Sequence, residues 1–586
     1  MATCVSHGNK ICSCNKKNSN VRYCCNNCNK RFFRDDNLKL IGIMSEIKGK
    51  IYPKPISVLR TNDEENRYKY YNYNASFHKG LQHNLIDGRL VSSLHYEDLK
   101  NAITACKQTE LSLVPLAPNS QIKLVDPSAS CASVLMGIPQ GSVSFGKAPS
   151  LSSKSGAADM LEVYAMILAR DVPFKNYATD PIISLLLEST HLNNSSVLSN
   201  LRYLPSTPLI AETIFRGNEY GKNFGPYISQ LLLLNIVAGA LKIPQLYHVP
   251  PTRIEAQQQQ VRNEWGITLL ETINIQNGNL PPPSTIQYVP RYLYSGRALA
   301  EAVHNDPAYQ FFYHAALILS SLGAKLNPGW SKFSNQSNFI TGSGPASIQC
   351  VVADIAVYAL KHAWYWKWQH SRKCRPEVYA LWVHDVKSGL VENKNNFDLS
   401  SIVLENEILK DIFDLNNSWI PNANSYTALL SYREGSPLHP TFPSGHSVIA
   451  GACVTILKMY FDGTQPWLSL PGVINGSLGG IAGSLVQAND DGTALIAYNG
   501  DAELITINTE LNKLASNIGF GRVFSAIHYR SDHIEGMKLG ETVAIHYMQD
   551  ILSTMIENNA GKCKSPEISF RKFDGTITTI KATVCY

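Results

Sequence analysis

Charge is scarce in this chain of 586 residues: Asp, Glu, Lys and Arg make up 17%, against about 25% in ordinary soluble domains. That scarcity excludes a disordered, heavily solvated chain. It points instead to large buried surfaces, subunit interfaces among them. Charge imbalance is also slight, with 52 basic and 46 acidic residues and a net charge of +6, so a dedicated nucleic-acid binder is not expected. Long apolar runs are missing too. The most apolar stretch, Phe224–Ala240, is interrupted by Ser229, Gln230 and Asn235. It is too short and too polar to span a bilayer and reads as a core helix. The first residues, Met1–His7, hold no apolar segment of the secretory kind, so a soluble, intracellular protein is the default expectation.

Cysteine spacing offers no disulfide framework. Six of the thirteen cysteines fall in the first 28 residues, and the other seven are scattered singly from Cys106 to Cys585. Without a signal segment those seven read as free thiols in a reducing compartment. Residues 1–55 stand apart as a Cys-rich extension, its first 34 residues holding seven Lys or Arg and no acid. Cys12, Cys14, Cys25 and Cys28 are zinc candidates, but tetrahedral zinc needs four ligands to converge. Their spacing matches no common zinc module, and a plain basic extension is the favoured reading.

From residue 56 to 586 the periodicity is mostly helical. Ala158–Arg170, Tyr227–Leu241, Gly296–Leu322, Pro345–Arg372, Ser447–Tyr460 and Leu539–Ile556 carry apolar residues at helical spacing. Strand-like alternation is confined to short pieces, such as Ala494–Tyr498, Leu504–Ile507 and Gly575–Ile580. The expected class is all-α with minor β-hairpins.

Three segments between about 340 and 560 offer groups suited to an oxyanion. In Lys367-x7-Arg375-Pro376, the two cations would stand about 12 Å apart on a continuous helix, and closer if the helix loosens before the proline. In His439-Pro-Thr-Phe-Pro443-Ser444-Gly445-His446, Pro443 can open a helix whose first N–H groups, with the Ser444 hydroxyl, face an anion. His446 follows, placed for proton transfer. In Gly521-Arg522-x5-His528-x3-Asp532, Arg522 can add a bidentate donor. His528 can be a ligand or nucleophile, with Asp532 spaced to orient its ring. Taken singly, each also reads as an ordinary helix end or salt-bridged loop.

In this order the three segments resemble the active-site signature shared by vanadium-dependent haloperoxidases and the acid phosphatases of the type 2 phosphatidic-acid phosphatase superfamily. Seven residues separate Lys367 from Arg375 where the phosphatases have six, and glycine precedes Arg522 where they usually have serine. Further similarity to the algal and cyanobacterial bromoperoxidases lies in Ala75-Ser-Phe-His-Lys-Gly-Leu-Gln-His-Asn84, Arg170-Asp-Val-Pro-Phe174, Gly225-Pro-Tyr-Ile-Ser-Gln230, Glu434-Gly-Ser-Pro437 and Glu510-Leu-Asn-Lys-Leu514. It runs from about residue 60 to the C-terminus.

The resemblance implies two four-helix bundles with the anion site at the end of one. It implies vanadate as cofactor, with His528 as its single protein ligand. Lys367, Arg375, Arg522, Ser444 and the Gly445 N–H would hold the vanadate oxygens, and His446 would be the acid–base group. Asp532 would stand behind His528. The implied reaction is oxidation of bromide or iodide by hydrogen peroxide to hypohalous acid, which halogenates small organic acceptors. His439 stands where bromoperoxidases have histidine and fungal chloroperoxidases phenylalanine, which favours bromide. Trp364 falls where some red-algal enzymes have arginine, and with His439 makes the expected halide environment. The family also implies a homo-oligomer, a dimer or larger. Some relatives bind structural calcium before the lysine helix, but Lys325–Asn335 here contains no carboxylate, and calcium is not expected there. The alternatives are an acid phosphatase of the same superfamily and a catalytically silent structural relative.

Overall fold

The computed structural model describes residues 3–5, 11–13, 63–330, 335–555 and 566–582. The chain divides into two units, Met1–Pro53 and Lys54–Tyr586. In the first, Thr3–Val5 pairs antiparallel with Ile11–Ser13 and sets the Cys12 backbone opposite Cys4. The zinc candidates otherwise lie outside the described residues.

The second unit is helical. Its principal helices are α1 (Ser93–Ala105), α2 (Lys154–Leu168), α3 (Gly296–Ala302), α4 (Gln310–Ser321), α5 (Pro345–Trp364), α6 (Pro376–Lys387), α7 (Ile408–Trp419), α8 (Gly445–Tyr460), α9 (Ile507–Phe524) and α10 (Arg530–Ser553). Two helical groups result. In one, α2 is buried from Gly156 to Ile167 and packs against α6 and α7. In the other, α8 lies among α5, α9 and α10 and buries every residue except His446. The uniform apolarity of α8 is what a bundle's central helix requires. Each strand pairing among the described residues is a two-stranded antiparallel ribbon, including Val486–Ala488 with Leu495–Ala497 and Ile568–Arg571 with Ile577–Ile580.

Several local expectations give way. Phe224–Ala240 is not a helix: it holds a single 3-10 turn, Gln230–Leu232, and then a ribbon pairing Ile236–Ala238 with Leu241–Ile243. Gly239 turns the ribbon at φ 61°, a conformation that favours glycine. The 3-10 turn is pinned by the Glu510 carboxylate, which accepts from the Gln230 N–H at 2.7 Å. Gly296–Leu322 is two helices, broken across Val303–Tyr309. Pro307 cannot continue a helix and pushes the preceding Asp306 out of helical backbone. Leu504–Ile507 is not a strand; it leads into α9, which Thr506 caps. The expectation of free thiols also fails in part. Cys106 and Cys131 form a disulfide, because the end of α1 is brought against the 3-10 turn Pro127–Cys131, a proximity that spacing along the chain does not reveal. Cys350, Cys374 and Cys453 are free, and Cys563 and Cys585 lie outside the described residues.

Candidate active site

Three chain segments deliver the site, each by a helix terminus. After Trp364 the helix widens into a π-helical turn, Tyr365–Ser371, and Arg372 stops it at φ 37°. The Arg372 guanidinium donates to the Trp368 and Gln369 carbonyls and pairs with the buried Glu65 carboxylate. Arg375 then stands in extended backbone immediately before α6, with Pro376 in the first turn. This break replaces the continuous helix that would have kept Lys367 and Arg375 apart. Pro443 precedes Ser444, whose Oγ accepts from the Ser447 N–H at 3.4 Å and caps α8. The first N–H groups of α8, at Gly445 and His446, have no carbonyl one turn back to donate to. A Cβ at Gly445 would come within 3.2 Å of the Trp364 ring, which would have to shift slightly to admit it. The third segment links α9 to α10, and the Ser444 N–H donates to the Asp532 carbonyl at 3.0 Å, locking two of the termini together.

The three cations are buried and none is bonded directly to a carboxylate. Lys367 Nζ donates to the Pro440 and Thr441 carbonyls at 2.7 and 2.9 Å. Arg375 donates to the His439 carbonyl from Nε at 3.0 Å and to the Ile527 carbonyl from Nη1 at 2.8 Å; Nη1 also lies 2.9 Å from His528 Nε2, and Nη2 lies 3.0 Å from His439 Nδ1. Arg522 bonds the Val303 carbonyl and lies over the Tyr432 ring at 5.6 Å, while its buried Nε has no partner. Burial, then the Arg375 charge, holds Lys367 well below the usual lysine range, against an upward pull from Asp532. Burial likewise brings Arg375 down to about 9. Buried charge without a counter-charge is costly, and an oxyanion is the counter-charge that this donor set fits.

His528 and Asp532 complete that picture. His528 Nδ1 lies 2.9 Å from Asp532 Oδ2, which also accepts from the Thr441 hydroxyl and from the Tyr529 N–H at 3.1 Å. A proton on Nδ1 leaves the Nε2 lone pair directed at the cations, where it accepts from Arg375 at 2.9 Å. Burial first, then the charges of Arg375, Lys367 and Arg522, keep this imidazole well below its usual pKa, so it is neutral and able to serve as a ligand. One neutral nitrogen and three cations suit a tetrahedral oxyanion such as vanadate. Among the described residues no group of three or more His, Cys, Asp or Glu could hold a metal cation.

His439 and Trp364 meet at the side of this pocket with ring centroids 4.8 Å apart. Trp364 Nε1 donates to the Val125 carbonyl at 3.2 Å. His439 is held well below its usual pKa by burial, then by Lys367 and Arg375. The His446 side chain is a quarter exposed, and its Nε2 lies 2.8 Å from Asp306 Oδ1. Its pKa is lowered by burial, with Asp306 opposing and Arg522 adding to the fall.

All nine residues expected here, Trp364, Lys367, Arg375, His439, Ser444, Gly445, Arg522, His528 and Asp532, are thus gathered with His446 at one end of the second helical group. Sequence reasoning missed Asp306, Thr441, Tyr432 and His304, the last stacked on Tyr432 with centroids 3.7 Å apart. Asp306-Pro307 did signal a helix break, but nothing in the sequence tied that break to His446.

Comparison with known proteins gives a consistent picture. The family model of the VCPO second helical-bundle domain matches residues 415–557. A vanadium-dependent bromoperoxidase of Ascophyllum nodosum is 30% identical over 526 residues, 86% of each chain. One of Corallina pilulifera is 26% identical over 573 residues, 86% of this chain and 91% of that one. Among solved structures, the homohexameric second vanadate-dependent bromoperoxidase of Ascophyllum nodosum superposes with a TM-score of 0.80 at 24% identity, covering 96% of this chain and 95% of that one. No helix among the described residues is long and apolar enough to cross a membrane.

Proposed function

The chain belongs to the vanadium-dependent bromoperoxidase family, and on that premise we propose that it oxidises bromide with hydrogen peroxide, using vanadate held on His528, to hypobromous acid that halogenates small organic acceptors. The observation that carries this reading is the set of three buried cations, none bonded to a carboxylate, gathered with His528, whose Nε2 faces the Arg375 guanidinium. When bound, vanadate supplies a Lewis acid that activates peroxide toward halide without changing its own oxidation state.

The protein's part is electrostatic and positional. Lys367, Arg375 and Arg522 neutralise oxyanion charge in a buried pocket, where such interactions are stronger than in water. The Ser444 hydroxyl, whose oxygen already caps α8, keeps its hydrogen for an anion, and the Gly445 N–H adds a second donor. Asp532 fixes the ring and tautomer of His528. His446, held at Nε2 by the Asp306 carboxylate, takes and returns protons at its other ring nitrogen, Nδ1. His439 and Trp364 border the place where halide approaches, and the histidine favours bromide. We also propose a homo-oligomer. Exposed Leu241, Ile243 and Leu246 on and beside one ribbon offer apolar surface for a subunit contact, and light scattering of the purified protein measures the subunit count.

The test is bromination of a phenolic dye by the purified protein with peroxide and bromide, before and after orthovanadate in phosphate-free buffer. Vanadate-dependent activity that His528→Ala abolishes is expected. Hydrolysis of p-nitrophenyl phosphate far exceeding bromide oxidation would overturn this reading in favour of a phosphatase.

A further inference from the structure

Lys458 lies near the C-terminal end of α8, about 20 Å along the helix from Gly445, and is not part of the site described above. Only 1% of it is exposed. Its ammonium has no hydrogen-bond partner and stands 3.8 Å from the centre of the Phe573 ring. Asn508, in the first turn of α9, is 3% exposed, and neither its amide nitrogen nor its amide oxygen has a partner. Buried polar groups are normally satisfied, so two unsatisfied side chains at one place call for an occupant.

Both residues line the same cavity, of about 640 Å³, which opens between α8, α9 and the ribbon Ile568–Arg571/Ile577–Ile580. That volume falls within the range of small-molecule sites, about 300–1,000 Å³. Pro328, Phe570 and Ile577 supply apolar wall, and Arg571 stands at the margin with its guanidinium 4.5 Å from the Tyr220 ring. Glu541, Glu219 and Asp574 act on the Lys458 charge through space without bonding it. Asp462 and Glu567 also line the cavity and disfavour a dianion there. Burial lowers the lysine to about 8, so it is mostly charged at neutral pH.

We propose that this cavity binds a small monocarboxylate with an apolar body, its carboxylate on Lys458 Nζ and the Asn508 amide and its chain against Pro328, Phe570 and Ile577. A charge-assisted donor and a neutral donor match the two oxygens of a carboxylate, and the apolar wall selects for a hydrocarbon tail.

Calorimetric titration of hexanoate into the vanadate-loaded protein tests this with the catalytic anion site already filled. One-to-one binding is expected, weakened at least tenfold in Lys458→Met and at least tenfold weaker for hexanol, with bromide oxidation by the variant unchanged. Absence of hexanoate binding, or equal affinity in Lys458→Met, would each overturn the proposal. Should Lys458→Met fail to fold, Ile577→Trp narrows the cavity from an exposed ribbon position. It must then weaken hexanoate tenfold at unchanged activity, and unchanged affinity overturns the assignment.

Discussion

A histidine can lend a lone pair to an oxyanion centre only in one tautomer, and at His528 the choice is made by Asp532. The carboxylate accepts a hydrogen bond from Nδ1–H at 2.9 Å and is itself held by the Thr441 hydroxyl and the Tyr529 N–H. Asp532→Asn keeps the shape but offers an amide that cannot fill the same acceptor roles. We expect it to weaken vanadate by about 10–100-fold with the fold intact, as equilibrium dialysis and circular dichroism can show. The second residue-scale device is His446 with Asp306. Burial pulls the imidazole pKa down and Asp306 pulls it up. Removing the negative charge in Asp306→Asn takes away only the upward pull, so the pKa falls further and the imidazole is neutral to lower pH. If activity requires neutral His446, the acid limb of the kcat/KM profile moves to lower pH in that variant. A limb that stays put, or moves up, would show that Asp306 does not set this titration.

At the scale of elements, the site depends on how closely α8 and α10 cross, because α8 begins with Ser444–His446 and α10 carries Asp532 in its first turn. Two glycines permit the crossing. A Cβ at Gly451 would come 2.2 Å from the Met537 carbonyl, and one at Gly540 would come 2.1 Å from the Val448 carbonyl. Backbone cannot move aside as a side chain can. Gly540→Ala should therefore cost about 1–3 kcal/mol or more in chemical denaturation and lower vanadate affinity by prising the two helix starts apart. Unchanged affinity would mean that the termini are held independently of the crossing. The starts of α8 and the turn to α10 were legible in the sequence, since Pro443-Ser444-Gly445 and His528-x3-Asp532 carry their own capping chemistry. The π-helical turn after Trp364 was not, because it is imposed from outside by the Glu65–Arg372 pair, 307 residues apart in sequence. The break across Val303–Tyr309 was readable at Pro307 but yielded to the apolar period on either side. Phe224–Ala240 misled for a related reason. Its central apolar residues, Tyr227–Leu234 among them, are buried, but Asn517 and Glu510 take the Ser229 and Gln230 N–H groups, and a ribbon rather than a helix pairs the backbone that follows.

For the whole molecule, the Cys106–Cys131 disulfide joins the catalytic end to its surroundings. It closes a separation of 25 residues, for which loss of unfolded-chain entropy contributes about 3.5 kcal/mol. Spread over the unfolding entropy of a chain this long, that is a shift of only about 3 °C in Tm. The local effect should exceed the global one. Gln369, two residues beyond Lys367 in the π-helical turn, donates to the Ile103 carbonyl at 3.1 Å and to the Ser130 hydroxyl at 3.0 Å, flanking the two linked cysteines, and lies 3.6 and 3.5 Å from their sulfurs. Opening the bond frees the two segments that anchor Gln369, and with them the turn that aims Lys367. Cys106→Ser should thus lower Tm by a few degrees while weakening vanadate measurably, and dithiothreitol should reproduce both effects in the wild-type protein but neither in the variant. A chain kept in a reducing compartment would not retain this bond. Alkylation of denatured protein taken directly from its source, before any reductant, is therefore expected to leave Cys106 and Cys131 unlabelled while Cys350, Cys374 and Cys453 react. Labelling of all five would place the working enzyme in its reduced form and confine the disulfide to the oxidised protein.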